Sequence, residues 1–266
     1  MNKIKIVNDN LEQVNVGKNI QIEYYHKECL FSINEIKINV VKTCNLEIEI
    51  DLKQESKLNI NLNISNNSHL NLTVLTKGQT GKIQYEYSLG KNSTCDVLKF
   101  HALKSIKEMI KVNLNGLNSC FNYNFKSIAT SKETYDFYIF HNSKDTNSNI
   151  KNNSVCINSG NIIYQVSSFV PKDVTGCIVN QNNRIINLTN NKCEIKPNLY
   201  IDCNDVEASH SALIGKFSDD EMFYLQSRGI DYNSALNLLI KGFLTSDVLN
   251  KKVLNNINKK IDKYWR

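Results

Sequence analysis

The chain has 266 residues, 41% of them hydrophobic and 9% aromatic, a length that supports one large domain or one domain with a small appendage. Its formal net charge of +6 comes from lysines scattered among asparagines; no basic block interleaved with aromatics is present, so no nucleic-acid partner is expected. No run of about 18 apolar residues exists and the opening MNKIKIVNDNLEQ lacks the features of a secretory signal, so neither a membrane partner nor export is expected, and the location expected is cytoplasmic.

In chain order, residues 1–32 read as a short lead-in, with one candidate strand in NIQIEYY (19–25). Residues 33–215 form the expected core. EIKINVV (35–41), NLEIEIDL (45–52), KLNINLNI (57–64), HLNLTVL (69–75), KIQYEYSL (82–89) and CDVLKF (95–100) each alternate apolar and polar residues. Period two turns one face of each strand inward. The pattern continues through EMIKVNLNG (108–116), SCFNYNFKSIA (119–129) and TYDFYIFHNS (134–143). It runs on through SVCINSG (154–160), NIIYQVSSFV (161–170), CIVNQNNRIINL (177–188) and KCEIKPNLYID (192–202). Strand starts recur about every 12 residues, as in all-β architectures. The turns are Asn/Ser/Gly/Lys segments, suited to corners where asparagine or glycine takes positive φ. Two architectures fit: an antiparallel sandwich or barrel, and a stacked β-helix. The absence of two-residue Asn-Gly turns between these strands tilts the balance slightly to the β-helix.

The period changes after Gly215, and residues 216–266 read as a helical domain. Ser218 and Glu221 make a capping box, Asp219 and Asp220 sit in the first turn, Arg228 in the last, and Gly229 fits the position after the helix. Asp231 caps a second helix with Ala235, Leu236, Leu239, Ile240 and Phe243 on one face. Ser246 or Asp247 is expected to cap a third, with a stripe of Leu249, Val253, Leu254, Ile257 and Ile261. Met222, Phe223, Tyr224 and Leu225 are consecutive, more apolar surface than one buried stripe uses, which points to a partner.

Few motifs carry chemistry. GQTGKI (78–83) has the wrong spacing for a phosphate loop and Ile83 stands where a hydroxyl would hold magnesium. No GxSxG or HExxH occurs. The eight cysteines lie between Cys29 and Cys203 with no CxxC pair, so free thiols are expected, mostly buried. Cys193, Cys203, Glu207 and His210 fall within 18 positions and offer thiolate, carboxylate and imidazole to zinc or iron. The competing reading makes both cysteines core residues and His210 a polar residue at a sheet edge.

Residues 196–230, KPNLYIDCNDVEASHSALIGKFSDDEMFYLQSRGI, resemble the SufB/SufD family, the scaffold subunits of the SUF iron–sulfur cluster assembly system. They are similar to a pattern KPxLxIxxDDVxxSHGAxxG followed by an acidic pair and FYLxSRGI. HNSKDTNSNI (141–150) and QNNRIINL (181–188) add weaker matches. The resemblance implies a mainly β fold, a right-handed parallel β-helix with a C-terminal α-helical domain. It implies a non-enzymatic scaffold that pairs through its β-helix with a second SufB/SufD-type subunit, of the same or another chain. Its helices would dock a SufC-type ATPase, placing Met222, Phe223, Tyr224, Arg228, Leu239 and Phe243 at that contact. His210 matches the histidine that SufD-type members place at the paired interface. The SufB-type cysteine is replaced by Asn182, after Gln181, and the SufB-type glutamate after the histidine by Ser211. The chain therefore resembles SufD more than SufB. His210, Glu207 and Cys203 become the candidate assembly site, with a transient iron–sulfur cluster as cargo and no tightly bound cofactor. The readings set against this are a β-helix enzyme acting on polysaccharide and a purely structural solenoid.

Overall fold

A computed structural model describes residues 2–25 and 34–264; the expected boundary between lead-in and core, at 32/33, lies outside the described residues. The strands are β1 (Asn2–Val7), β2 (Asn10–Asn15), β3 (Ile20–Tyr25), β4 (Asn34–Val40), β5 (Cys44–Leu52), β6 (Ser56–Ile64), β7 (His69–Gly78), β8 (Thr80–Leu89), β9 (Thr94–Ala102), β10 (Ser105–Leu114), β11 (Cys120–Ala129), β12 (Lys132–His141), β13 (Asn147–Cys156), β14 (Asn161–Val170), β15 (Cys177–Asn187), β16 (Glu194–Ile201) and β17 (Val206–Gly215). Three helices follow: α1 (Asp219–Ser227), α2 (Tyr232–Thr245) and α3 (Lys251–Tyr264). None is long and apolar enough to cross a membrane among the described residues.

The odd strands build one sheet, in the order β17-β15-β13-β11-β9-β7-β5-β1-β2, and the even strands another, β16-β14-β12-β10-β8-β6-β4-β3. Each strand from β6 onward pairs in parallel with the strand two before it. The molecule is thus a parallel β-solenoid of about seven two-strand turns. Of the two architectures open to the sequence, the stacked one is present. The residues before Asn34 contribute strands too. β1 joins β5 in parallel, while β2 and β3 pair antiparallel with β1 and β4 and form the outer edges of the two sheets.

Alternation converts into columns. Ile36, Ile60, Tyr85, Ile110, Phe137 and Val166 stand one above another inside the even sheet. On the odd sheet Asn45, Asn71, Asp96, Asn122, Asn149, Asn180 and Ser209 occupy one outward column. Their amides link turn to turn: Asn71 Nδ2 donates to Asn45 Oδ1 (2.9 Å), Asn122 to Asp96 (2.7 Å), Asn149 to Asn122 (2.8 Å) and Asn180 to Asn149 (2.9 Å). Ladders of this kind arise when like residues stack in register. Asparagine also turns one corner repeatedly: Asn67, Asn92 and Asn118 take positive φ there, and Asp145 and Gly176 take the same role in later turns.

Part of the interior is polar. Lys99 Nζ meets Glu108 Oε1 at 2.5 Å, both side chains fully buried, and His101 Nε2 lies 3.3 Å from Glu108 Oε2. Burial pushes the Lys99 ammonium down to about 8 against the opposing pull of Glu108, and pushes the Glu108 carboxyl up against the pull of Lys99.

α2 and α3 lie along the outside of the odd sheet. Leu236, Ile240, Leu244, Val253, Ile257 and Ile261 pack on Phe100, Ile128, Val155 and Ile186. The capping box at Ser218, the Asp231 cap and positive φ at Gly229 are as expected. The third helix starts later than expected. Asn250, not Ser246 or Asp247, accepts from the amides of Lys252 (3.0 Å) and Val253 (3.2 Å), and Leu249 stands 95% exposed instead of joining the stripe. Asp247 has other partners: Lys126 Nζ at 2.9 Å and Lys151 Nζ at 2.6 Å. With Asn250 Nδ2 donating to Thr73 Oγ1 and Lys252 bridging Glu47 and Glu49, the α2–α3 connection straps across β5, β7, β11 and β13.

Candidate functional site: the open end of the solenoid

The solenoid is left uncovered at β16 and β17. No described strand follows them, and β17 is exposed along nearly all of its length. Its unbroken parallel register with β15 assigns each residue a face. Cys177, Val179, Gln181 and Ile185 of β15 are buried inside. Their partners Val206, Ala208, His210 and Ile214 continue the inner columns, while Glu207, Ser209, Ser211 and Leu213 occupy the outer ones.

His210 therefore ends the inner column Leu46, Leu72, Val97, Tyr123, Ile150, Gln181. It is exposed only because no further turn sits above it. Gln181 below it is 2% exposed. Gln181 Nε2 donates to Ser168 Oγ (2.9 Å) and to the carbonyl of Asn198 (3.2 Å), while its Oε1 is buried without a partner. Asn152 and Asn183, joined at 2.7 Å, make the neighbouring column polar as well. The last turns thus carry a polar interior beneath the imidazole, where the first turns are aliphatic. An imidazole has two ring nitrogens for hydrogen bonding or for a metal, and this one is exposed at the open end of an inner column.

The residues singled out beside His210 are not brought together with it. Glu207 is three positions away on the same strand, so it lies on the opposite face. Cys203, in the turn before β17, packs with Val170, Val174, Cys177 and Val179. Cys193 is in the core, its sulfur 3.5 Å from that of Cys156. No group of three or more His, Cys, Asp or Glu among the described residues is arranged to hold a metal ion within one chain. Ser168 and Asn198 are not among the candidates the sequence offers, and Gln181 enters there only as the residue before Asn182; the structural signal for it is its inward parity on β15.

Two more columns run out at the same end. Ser209 Oγ donates to Asn180 Oδ1 (2.7 Å) and terminates the amide ladder. On the even sheet Phe140, Phe169 and Tyr200 stack at 4.9 and 4.8 Å, nearly parallel, and Tyr200 is 53% exposed. Leu213 and Ile214 are also exposed, on β17 of the other sheet.

On α1 no residue is buried. Phe223 is 73% and Tyr224 59% exposed, with the Arg228 guanidinium 5.3 Å over the Tyr224 ring. Met222 and Leu239 are half-buried. Phe243 is also half-buried, edge-on to Phe217 at 6.3 Å and beneath Arg184 at 5.2 Å.

Comparison with known proteins agrees with this geometry. Residues 18–243 match the family model described as SUF system FeS cluster assembly, SufBD core domain. The iron–sulfur cluster assembly protein SufD of Escherichia coli is 26% identical over 168 residues, 59% of this chain and 39% of the relative. SufD of Bacillus subtilis is 28% identical over 130 residues, 48% of this chain and 30% of the relative. A SufBD family protein of Mycobacterium leprae is 33% identical over 91 residues, 34% of this chain and 23% of the relative. The matches thus span well under half of these relatives' lengths. A solenoid with these columns, an exposed histidine on its last strand and a family match over most of its length place the chain in the SufB/SufD family of SUF iron–sulfur cluster assembly proteins.

Proposed function

We propose that the chain is a scaffold subunit of a SUF-type iron–sulfur assembly complex, pairing end to end with a second SufB/SufD-type subunit through β16 and β17. The observation that carries this reading is the set of columns that stop unfinished at one open end. An unpaired strand edge flanked by exposed Tyr200, Leu213 and Ile214 is a template for another strand. Pairing there would enclose His210 between two scaffolds, next to the polar interior headed by Gln181. His210 then offers one nitrogen ligand to a nascent cluster, the cargo of the complex. The remaining ligands come from the partner scaffold, since Glu207 and Cys203 of this chain point elsewhere.

The exposed face of α1 docks a SufC-type ATPase. Phe223, Tyr224 and Arg228 form a compact aromatic and cationic patch of the type that dominates binding energy at interfaces. Met222 on the same helix and Leu239 and Phe243 on α2 extend the proposed contact. The ATPase supplies the nucleotide chemistry and this chain the frame on which it acts.

Co-expression with a SufC-type ATPase and a SufB-type scaffold tests the reading. A stable complex is expected, and Phe223→Ala with Tyr224→Ala removes the ATPase but not the second scaffold. His210→Ala leaves the complex assembled and lowers cluster yield. Failure of the folded chain to bind either partner would sink the proposal.

A further inference from the structure

Of the seven free thiols among the described residues, Cys156 and Cys193 have their sulfurs 3.5 Å apart. They come from different sheets. Cys156 ends β13 in the odd sheet, and Cys193 immediately precedes β16 in the even sheet. Cys156 is fully buried, while Cys193 is 8% exposed beneath the exposed segment 190–192. The pair closes a contact 37 positions apart along the chain, at the turn that leads into the open end.

We propose that Cys156 and Cys193 form a redox-active dithiol, a modification site at which hydrogen peroxide closes an intramolecular disulfide between the two sheets. The proposal stands apart from the scaffold reading, because the reaction needs neither a partner nor a cluster. Cys193 is the attacking sulfur for two reasons. Its residue is the less buried of the two, 8% exposed against 0% for Cys156, and a reagent as small as peroxide needs little room. It also shares a hydrogen bond with the Cys156 sulfur and takes a backbone hydrogen bond at Ile162, which together pull its thiol down, while the shared bond and burial hold Cys156 up. Thiolate character at an accessible sulfur beside a resolving thiol is what selects a cysteine for oxidation.

The chemistry balances. The Cys193 thiolate attacks one peroxide oxygen, the O–O bond breaks, and hydroxide leaves as water after taking a proton, giving a sulfenic acid on Cys193. Cys156 Sγ then attacks Cys193 Sγ, the S–O bond breaks, and the departing hydroxide takes the Cys156 proton as a second water. Two thiols lose two electrons and one peroxide becomes two waters.

Treating the full chain with hydrogen peroxide and mapping peptides without reductant tests this. The expected product has lost two hydrogens, carries a Cys156–Cys193 cross-link, and is restored by dithiothreitol. In Cys156→Ser the reaction stops at a sulfenic acid that dimedone traps on Cys193; in Cys193→Ser, Cys156 stays unreactive. A cross-link between other cysteines, or oxidation of the half-exposed Cys44 or Cys203 ahead of Cys193, overturns the proposal. The wild-type map alone decides it if the serine variants fold poorly.

Discussion

Two outer surfaces of the same solenoid meet opposite fates. Along the flank of the odd sheet, apolar residues at outward positions, among them Phe100, Ile128, Val155 and Ile186, are sealed by α2 and α3. At the open end, Tyr200, Leu213, Ile214 and the α1 pair Phe223 and Tyr224 stay in water. The hydrophobic effect does not distinguish them, since each would gain on burial. The difference is that the chain supplies its own cover for the flank and none for the end. The flank is therefore a matter of stability and the end a matter of association, and substitutions separate the two.

The largest loss of stability is expected from Ile257→Ala, which empties a fully buried position beneath α3. Truncations of this kind cost about 2–5 kcal/mol. A drop in thermal midpoint is the readout, and an unchanged midpoint would mean the helices do not seal the flank. Next comes Asp247→Ala, which strands the fully buried Lys126 ammonium at a cost of about 2 kcal/mol.

The same carboxyl gives a pH dependence. Burial works to raise Asp247, but hydrogen bonds and charges from Lys151 and Lys126 outweigh it and hold it at about 2, against an ordinary 3.8. A depressed carboxyl stabilises the fold above its unfolded value and loses that contribution as pH falls from 3.8 toward 2. Acid titration of wild type and Asp247→Asn should diverge above that window and converge below it. Parallel curves throughout would remove Asp247 from the strap.

A smaller effect belongs to the amide ladder. Asn122→Ala removes two side-chain hydrogen bonds on a half-exposed column and should cost about 1 kcal/mol in a denaturant titration. The smallest change of all is expected at the open end. Leu213→Ser, Tyr200→Ser and Phe223→Ala should each shift stability by no more than about 0.5 kcal/mol, while sedimentation with partner subunits reports lost assembly. A large stability loss from Leu213→Ser would erase the distinction between flank and end.

Much of this was legible in the chain. Period two locates most strands from residue 35 to 202, although β13 covers Asn147–Cys156 where 154–160 is expected, and Ser218, Asp231 and Gly229 mark helix boundaries by local hydrogen bonding that needs no tertiary context. His210 stands out in the chain, but proximity in sequence groups Glu207 and Cys203 with it, and only the register of β17 sets Glu207 on the opposite face. Other features were not legible. Asparagines in outward positions look like solvated polar residues until stacking turns Asn122, Asn149 and Asn180 into a ladder. Lys99 shares its parity with inward Cys95 and Val97, but its partner Glu108 becomes a neighbour only when the chain crosses from one sheet to the other. Asp247 fits a helix cap by sequence, and two lysines on distant strands claim it instead.

The strap across the odd sheet has a consequence for how the chain reaches its native state. A plain stack of turns couples only neighbours, so it frays and unzips from its ends in steps. Here Lys252 grips Glu47 and Glu49, and Asp247 grips Lys126 and Lys151, across sequence separations as large as 205 positions. Ties that skip several turns make early and late turns melt together. They also form late, because residues up to Lys252 must be made before the first turns are clamped. Until then the early turns are held by their neighbours alone.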